Sequence, residues 1–86
     1  MGDTTITNNL VVDEVAHTPH DTTAIVASHR GGFRVGGAGD VSFRYVNGTV
    51  TFTRTYAAGD EVFGAIEYIY STATTATSIT VFRLQH

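Results

Sequence analysis

The chain has 86 residues, a formal net charge of −3 and no cysteine. This length allows one domain, and the lack of cysteine excludes disulfides and thiolate metal sites. With five arginines and no lysine, the chain lacks a basic face for nucleic acid. No apolar run approaches the roughly 20 residues that span a bilayer. We therefore expect the chain to bind neither nucleic acid nor a membrane.

Threonine and aromatic residues are abundant. Fifteen threonines, four tyrosines and five phenylalanines favour strands, and no stripe with helical spacing stands out. The composition predicts an all-β fold. Because a chain of this size buries a limited core, we also expect it to gain stability by oligomerisation.

Residues 1–21 form the first predicted element, an extended N-terminal arm. A brief apolar patch predicts one short strand at 9–12, and Pro19 blocks regular structure further on. A disordered leader is the alternative. If the arm binds another protein, its apolar residues are the anchors: Ile6, Leu10, Val11 and Val12.

Residues 22–86 are predicted to form a single β-sandwich domain. Its first strands are expected at 22–28 and 33–35. The glycine-rich run 36–40 is similar to a phosphate-binding loop in composition, but it lacks the Lys-Ser/Thr ending and a following helix. We interpret it as a turn.

Asn47-Gly48 lies between two alternating runs and predicts a tight β-hairpin over residues 40–56. A two-residue turn would place Phe43 opposite Phe52. Tyr45 would lie on the same side, in the core, and Arg44 on a polar, hydroxyl-rich face.

Residues 61–70 predict a strand with two largely apolar faces, one covered by a second sheet and the other by a neighbouring subunit. Glu67 in its middle needs a partner, because burying an unpaired charge is costly; Arg54 and Arg83 are the candidates. Residues 71–78, small and uncharged, are interpreted as a close-packed connection to a final strand at 77–84.

These elements predict six or seven short strands in a compact antiparallel β-sandwich or small jelly-roll-like barrel. The residues predicted to form a subunit interface come from the last two strands: Phe63, Ile66, Tyr68, Tyr70 and Phe82.

Motifs for chemistry are weak. His17 and His20 could ligate a metal, but no spacing provides a third ligand, and a contact or solvated arm is the preferred interpretation. No Gly-x-Ser-x-Gly nucleophile elbow occurs. We expect no catalytic residues, no metal and no cofactor.

Five short motifs follow one another in a fixed order: Phe33-Arg34-Val35-Gly36, Gly39-Asp40-Val41, Thr49-Val50-Thr51-Phe52, Ala57-Ala58-Gly59-Asp60, and Ser71-Thr72-Ala73-Thr74-Thr75-Ala76-Thr77. In this order and spacing the chain resembles small structural proteins of tailed phages and gene transfer agents, which serve as head-spike bases or capsid decorations. It departs from them at Ala73, where the family pattern has glycine. If that position needs a positive φ, alanine is strained there.

The resemblance implies a virion structural protein at the capsid surface: a decoration, cement or head-spike base subunit without catalysis. Its expected partners are the major capsid protein, further copies of itself in a trimer or pentamer, and a fibre protein. The alternative is a small carbohydrate- or receptor-binding β-module, in which the four tyrosines would form an aromatic platform.

Overall fold

The computed structural model describes residues 11–84, and within this part of the chain it contains seven strands in two antiparallel sheets. The strands are β1 (Val11–Ala16), β2 (Gly32–Gly37), β3 (Gly39–Tyr45), β4 (Phe52–Tyr56), β5 (Glu61–Phe63), β6 (Ile66–Tyr70) and β7 (Thr77–Leu84), with a single-turn 3₁₀ helix at Ala27–His29. One sheet has the order β1-β7-β2-β5 and the other β4-β3-β6. The predicted all-β fold is confirmed as a small β-sandwich.

The core lies between the two sheets. Phe33 on β2 is 0% exposed, and its ring meets Phe43 on β3 edge-on at a centroid distance of 5.3 Å. It also meets Tyr56 on β4 at 5.6 Å. One side chain of the four-stranded sheet therefore touches two strands of the three-stranded sheet.

The predicted register of β3 with β4 is confirmed, because Phe43 pairs with Phe52. The turn differs. The Gly48 amide donates to the Tyr45 carbonyl at 2.9 Å and Asn47 has a φ of 61°, so the turn lies one residue earlier and residues 46–51 form a longer loop. Tyr45 is 37% exposed rather than in the core.

The predicted strand at 22–28 is wrong. This segment runs beside β6 and makes one backbone bond to it, from the Ile25 amide to the Glu67 carbonyl at 2.8 Å, before it enters the 3₁₀ helix. Ile25 is buried, whereas Val26 is exposed. The segment therefore places one residue in the core without forming the hydrogen bonds of a strand.

The predicted strand 61–70 is divided between the two sheets. It breaks at Gly64, whose φ is 151°, so that β5 joins one sheet and β6 the other. A bulge follows, since Tyr45 pairs with Ile66 while Arg44 pairs with Tyr68, and one extra residue reverses the inside–outside alternation. Ile66, assigned to a subunit interface from the sequence, lies in the core instead.

Residues 11–21, assigned to the arm, are hydrogen bonded into the body. Strand β1 pairs antiparallel with β7 along one edge of the four-stranded sheet. Further on, the His17 amide donates to Ile79 and the His20 amide to Ile69, both at 3.0 Å. This segment passes from one sheet to the other. Ile6 and Leu10 lie outside the described residues, so their role in an arm stays a prediction.

Threonine hydroxyls replace a strand beside the start of β3. The Asp40 amide donates to Thr75 Oγ1 at 2.8 Å and the Ser42 amide to Thr74 Oγ1 at 2.9 Å. The amides of Thr75 and Ala76 in turn donate to the Asp40 carbonyl. The segment that follows β6 is therefore a bonded connection, which explains its threonine content.

Ala73→Gly is expected to raise the free energy of unfolding by about 0.5–1 kcal/mol, because Ala73 has a φ of 68° and glycine adopts this conformation without strain. Urea unfolding followed by circular dichroism measures the change. The control is Ala58→Gly at an exposed position without a positive φ, where glycine should lower stability by a similar amount. A loss in both variants would contradict strain at Ala73.

Candidate functional site

An exposed aromatic residue marks the outer face of the four-stranded sheet. Phe63 on β5 is 63% exposed, and its ring stacks on Phe82 of β7 with centroids 5.1 Å apart and planes 13° from parallel. Phe82 alternates with the core residue Val81 and so points to the outer face, where it is only 3% exposed. We call this pair, with Val11 of β1 beside it, the Phe63 face.

Two grooves flank Phe63, and Val11 and Phe63 line both. The first, of about 420 Å³, is lined in addition by Asp13, Glu14, Glu61 and Phe82; we call it the acidic groove. The second, of about 280 Å³, includes Arg30 among its lining residues; we call it the Arg30 groove. The Phe63 face thus has opposite charges on its two sides.

The carboxylate of Glu14 is held in place by neighbours on the same face. Thr80 donates its hydroxyl to Glu14 Oε1 at 2.9 Å, and Arg34 lies 3.9 Å from Glu14 Oε2. That ion pair is exposed to solvent and contributes little to stability. Because the Glu14 side chain is 41% exposed, its carboxylate is accessible in the acidic groove.

The outer face of the three-stranded sheet has a different composition. Tyr68 and Tyr70 of β6 stack with centroids 5.3 Å apart and planes 4° from parallel. The Arg44 guanidinium lies 4.8 Å from the centroid of the Tyr68 ring and bonds to Glu67 Oε1 at 3.1 Å. The prediction that Glu67 has an arginine partner is confirmed, but the partner is Arg44 rather than Arg54 or Arg83.

A groove of about 260 Å³ lies at the Tyr70 end of this stack. It is lined by Asp21, Ser42, Thr51, Tyr70, Thr72 and Ala73; we call it the Tyr70 groove. The Asp21 carboxylate accepts two bonds from Thr72, at 2.9 Å from the amide and 2.6 Å from the hydroxyl. These bonds lower the pKa of Asp21, so a charged carboxylate lies at the groove.

The four tyrosines do not form one platform. Tyr45 packs edge-on against Phe43 and Phe52, and Tyr56 packs against Phe33. Only Tyr68 and Tyr70 stack on one another. The aromatic surface proposed for a sugar therefore reduces to that pair.

His17 and His20 hold the two sheets together through their backbone amides. Burial, and then the nearby His20, lower the pKa of His17, whose buried Nε2 has no hydrogen-bond partner within the described residues. Between residues 11 and 84, no group of three histidine, aspartate or glutamate side chains could hold a metal ion. In the same range, no helix is long and apolar enough to cross a membrane.

The structure separates the predicted interface residues into two groups. Phe63 and Phe82 lie together on one outer face, with the predicted anchor Val11 next to them, whereas Tyr68 and Tyr70 lie on the opposite sheet. Val12 lies in β1. Asp21 and Thr72 were not among the predicted site residues. They are 51 positions apart, and no local pattern relates them.

Comparison with known protein families, with curated proteins and with solved structures finds no match for this chain.

Proposed function

We propose that this chain is a structural subunit of a virion, which works by contact with other protein subunits. The observation that carries the proposal is the Phe63 face. A phenylalanine 63% exposed above a second aromatic ring marks a surface that an assembly would cover, because exposed apolar patches rimmed by polar groups are typical of protein contacts.

The energetic reason is the apolar area at Phe63. A fully buried aromatic side chain gains about 1.5–3 kcal/mol relative to an exposed one. Aromatic anchors at the centre of an interface contribute a large part of the binding energy. A contact that covers Phe63 would supply stability that this small core lacks.

The charges beside Phe63 favour a second copy of the chain as the covering partner. The acidic groove of one copy can face the Arg30 groove of the next, which pairs Glu14 and Glu61 with an arginine. This contact joins two different patches. Heterologous contacts of this kind form rings when the rotation closes, in accord with the proposed trimer or pentamer.

The placement in a virion comes from the motifs between residues 33 and 84. As a decoration, cement or head-spike base subunit, the chain would bind the major capsid protein, and the ring could receive a fibre protein. Such a subunit needs rigid surfaces rather than catalytic groups, and the Phe63 face is built on strands.

Phe63→Ser is expected to dissociate the oligomer. Sedimentation of the unmodified protein from micromolar to near-millimolar concentration should give the mass of a trimer or pentamer. The variant should associate at least about tenfold more weakly, because it loses the apolar anchor.

Val50→Ser is the matched control, since Val50 is 55% exposed and lies in the loop between β3 and β4. This variant should associate like the unmodified protein. A monomer at every concentration would contradict self-association. Equal weakening by both substitutions would show that the contact is not at the Phe63 face.

A further inference from the structure

The chain itself contains one arginine, Arg44, held between a ring and a carboxylate on the three-stranded sheet. Tyr68 pairs across the strands with Arg44, whose guanidinium lies over the Tyr68 ring and bonds to the Glu67 carboxylate. The ring and the carboxylate bind the guanidinium, which is planar, always charged and weakly hydrated, although its buried Nε has no hydrogen-bond partner within the described residues.

Tyr70 is the next residue of β6 on the same face, and no arginine in the described part of the chain lies over its ring. Tyr70 pairs with Ser42, and the small serine side chain is buried and occupied by a bond from Thr53. No side chain of β3 extends beside Tyr70 as Arg44 does beside Tyr68. The Tyr70 groove occupies this space.

A carboxylate is also present at this second position. Asp21 lines the Tyr70 groove, and its two bonds from Thr72 hold it there. Ser71 contributes further hydrogen bonds to this carboxylate, which keeps its negative charge and faces solvent. The groove therefore combines a ring and an anchored negative charge, with no cation of its own among the lining residues.

We propose that the Tyr70 groove binds the arginine side chain of a partner polypeptide. The guanidinium stacks against Tyr70, continues the row that Arg44 and Tyr68 begin, and forms an ion pair with the charged carboxylate of Asp21. The site lies on the sheet opposite the Phe63 face, so it is independent of the proposed self-association.

Three short peptides test the chemistry: acetyl-Gly-Arg-Gly-amide and its counterparts with lysine or citrulline at the centre. Each is titrated into the ¹⁵N-labelled protein, and amide shifts are followed by NMR. We expect the arginine peptide to bind with a dissociation constant on the order of millimolar and to shift the amides of residues 70–73. The citrulline peptide, which lacks the charge, should bind at least about tenfold more weakly. The lysine peptide, which lacks the planar group, should have an affinity between those of the other two.

Two variants locate the site. Asp21→Asn removes the charge, and its amide oxygen and nitrogen can keep both bonds to Thr72, so the loop stays in place. Tyr70→Leu removes the ring. Each should weaken the arginine peptide by about tenfold. Asp60→Asn is the matched control, because Asp60 also accepts a backbone amide bond in a turn, from Ala57, and its substitution should leave binding unchanged.

The proposal is overturned if no peptide shifts the groove amides up to its solubility limit. It is also overturned if the citrulline or lysine peptide binds as well as the arginine peptide, or if Asp60→Asn weakens binding as much as Asp21→Asn. Methyl pyranosides are titrated in parallel. Tighter binding of a sugar than of the arginine peptide at the same amides would assign the groove to carbohydrate and overturn the arginine site.

Discussion

Gly32→Ala should lower the free energy of unfolding by about 3 kcal/mol or more, enough to unfold much of the protein. Gly32 has a φ of +122°, and a Cβ there would lie 2.0 Å from the carbonyl oxygen of Val62. The backbone of residue 32 fixes the position of the Cβ, and the oxygen belongs to the backbone of Val62, so no side-chain rotation can relieve the overlap. The substitution would separate β5 from β2 and add conformational strain. Urea unfolding followed by circular dichroism measures the loss.

Gly59→Ala separates the two causes. Gly59 has a φ of +90°, but nothing lies within 4 Å of the position of its added Cβ. We expect this variant to lose only about 1–2 kcal/mol, the cost of the backbone conformation alone. If both variants lose the same free energy, the close approach of β5 to β2 is not what requires glycine at residue 32.

Local alternation was enough to predict the bounds of one strand and the register of one pair. The bounds of β7 at 77–84 and the pairing of Phe43 with Phe52 were both predicted correctly. In these strands each side chain lies on the same face as its neighbours two positions away. A short stretch of sequence is therefore enough to assign each residue to a face.

Alternation failed where the structure depends on distant neighbours. The run 61–70 is apolar on both faces, and its division between the two sheets depends on a break at Gly64 and a bulge opposite β3. The glycine at 64 is a signal of a bend or bulge, but neither it nor its neighbours specify which sheet each half joins. The run 22–28 resembles a strand in sequence, yet within it only Ile25 reaches the core.

The residues of the candidate surfaces were predictable where one strand identifies them, and not where they depend on contacts between distant residues. Phe63 and Phe82 could be identified because their strands have more apolar residues than one core requires. The sequence does not single out Arg44 as the partner of Glu67, since the pairing of β3 with β6 joins residues 23 positions apart. The contact between Asp21 and Thr72 depends on where the chain crosses between sheets, which no residue pattern specifies.

Phe33→Ala should lower the free energy of unfolding by about 3–5 kcal/mol, the usual cost of removing a buried phenylalanine. Phe33 is 0% exposed and contacts both Phe43 and Tyr56 of the other sheet, so the cavity would lie where the sheets meet. In a domain of this size each kcal/mol lowers the melting temperature by about 4–8 °C, which calorimetry resolves.

Phe63→Ala is the matched control, because the same atoms are removed from a side chain that is 63% exposed. At protein concentrations below self-association it should lose only about 1 kcal/mol, chiefly the stacking on Phe82. Phe33→Leu keeps most of the buried volume and should lie between the two, which preserves the comparison if the alanine variant does not fold. Equal losses at residues 33 and 63 would contradict a core centred on Phe33, since burial is the difference between the two positions.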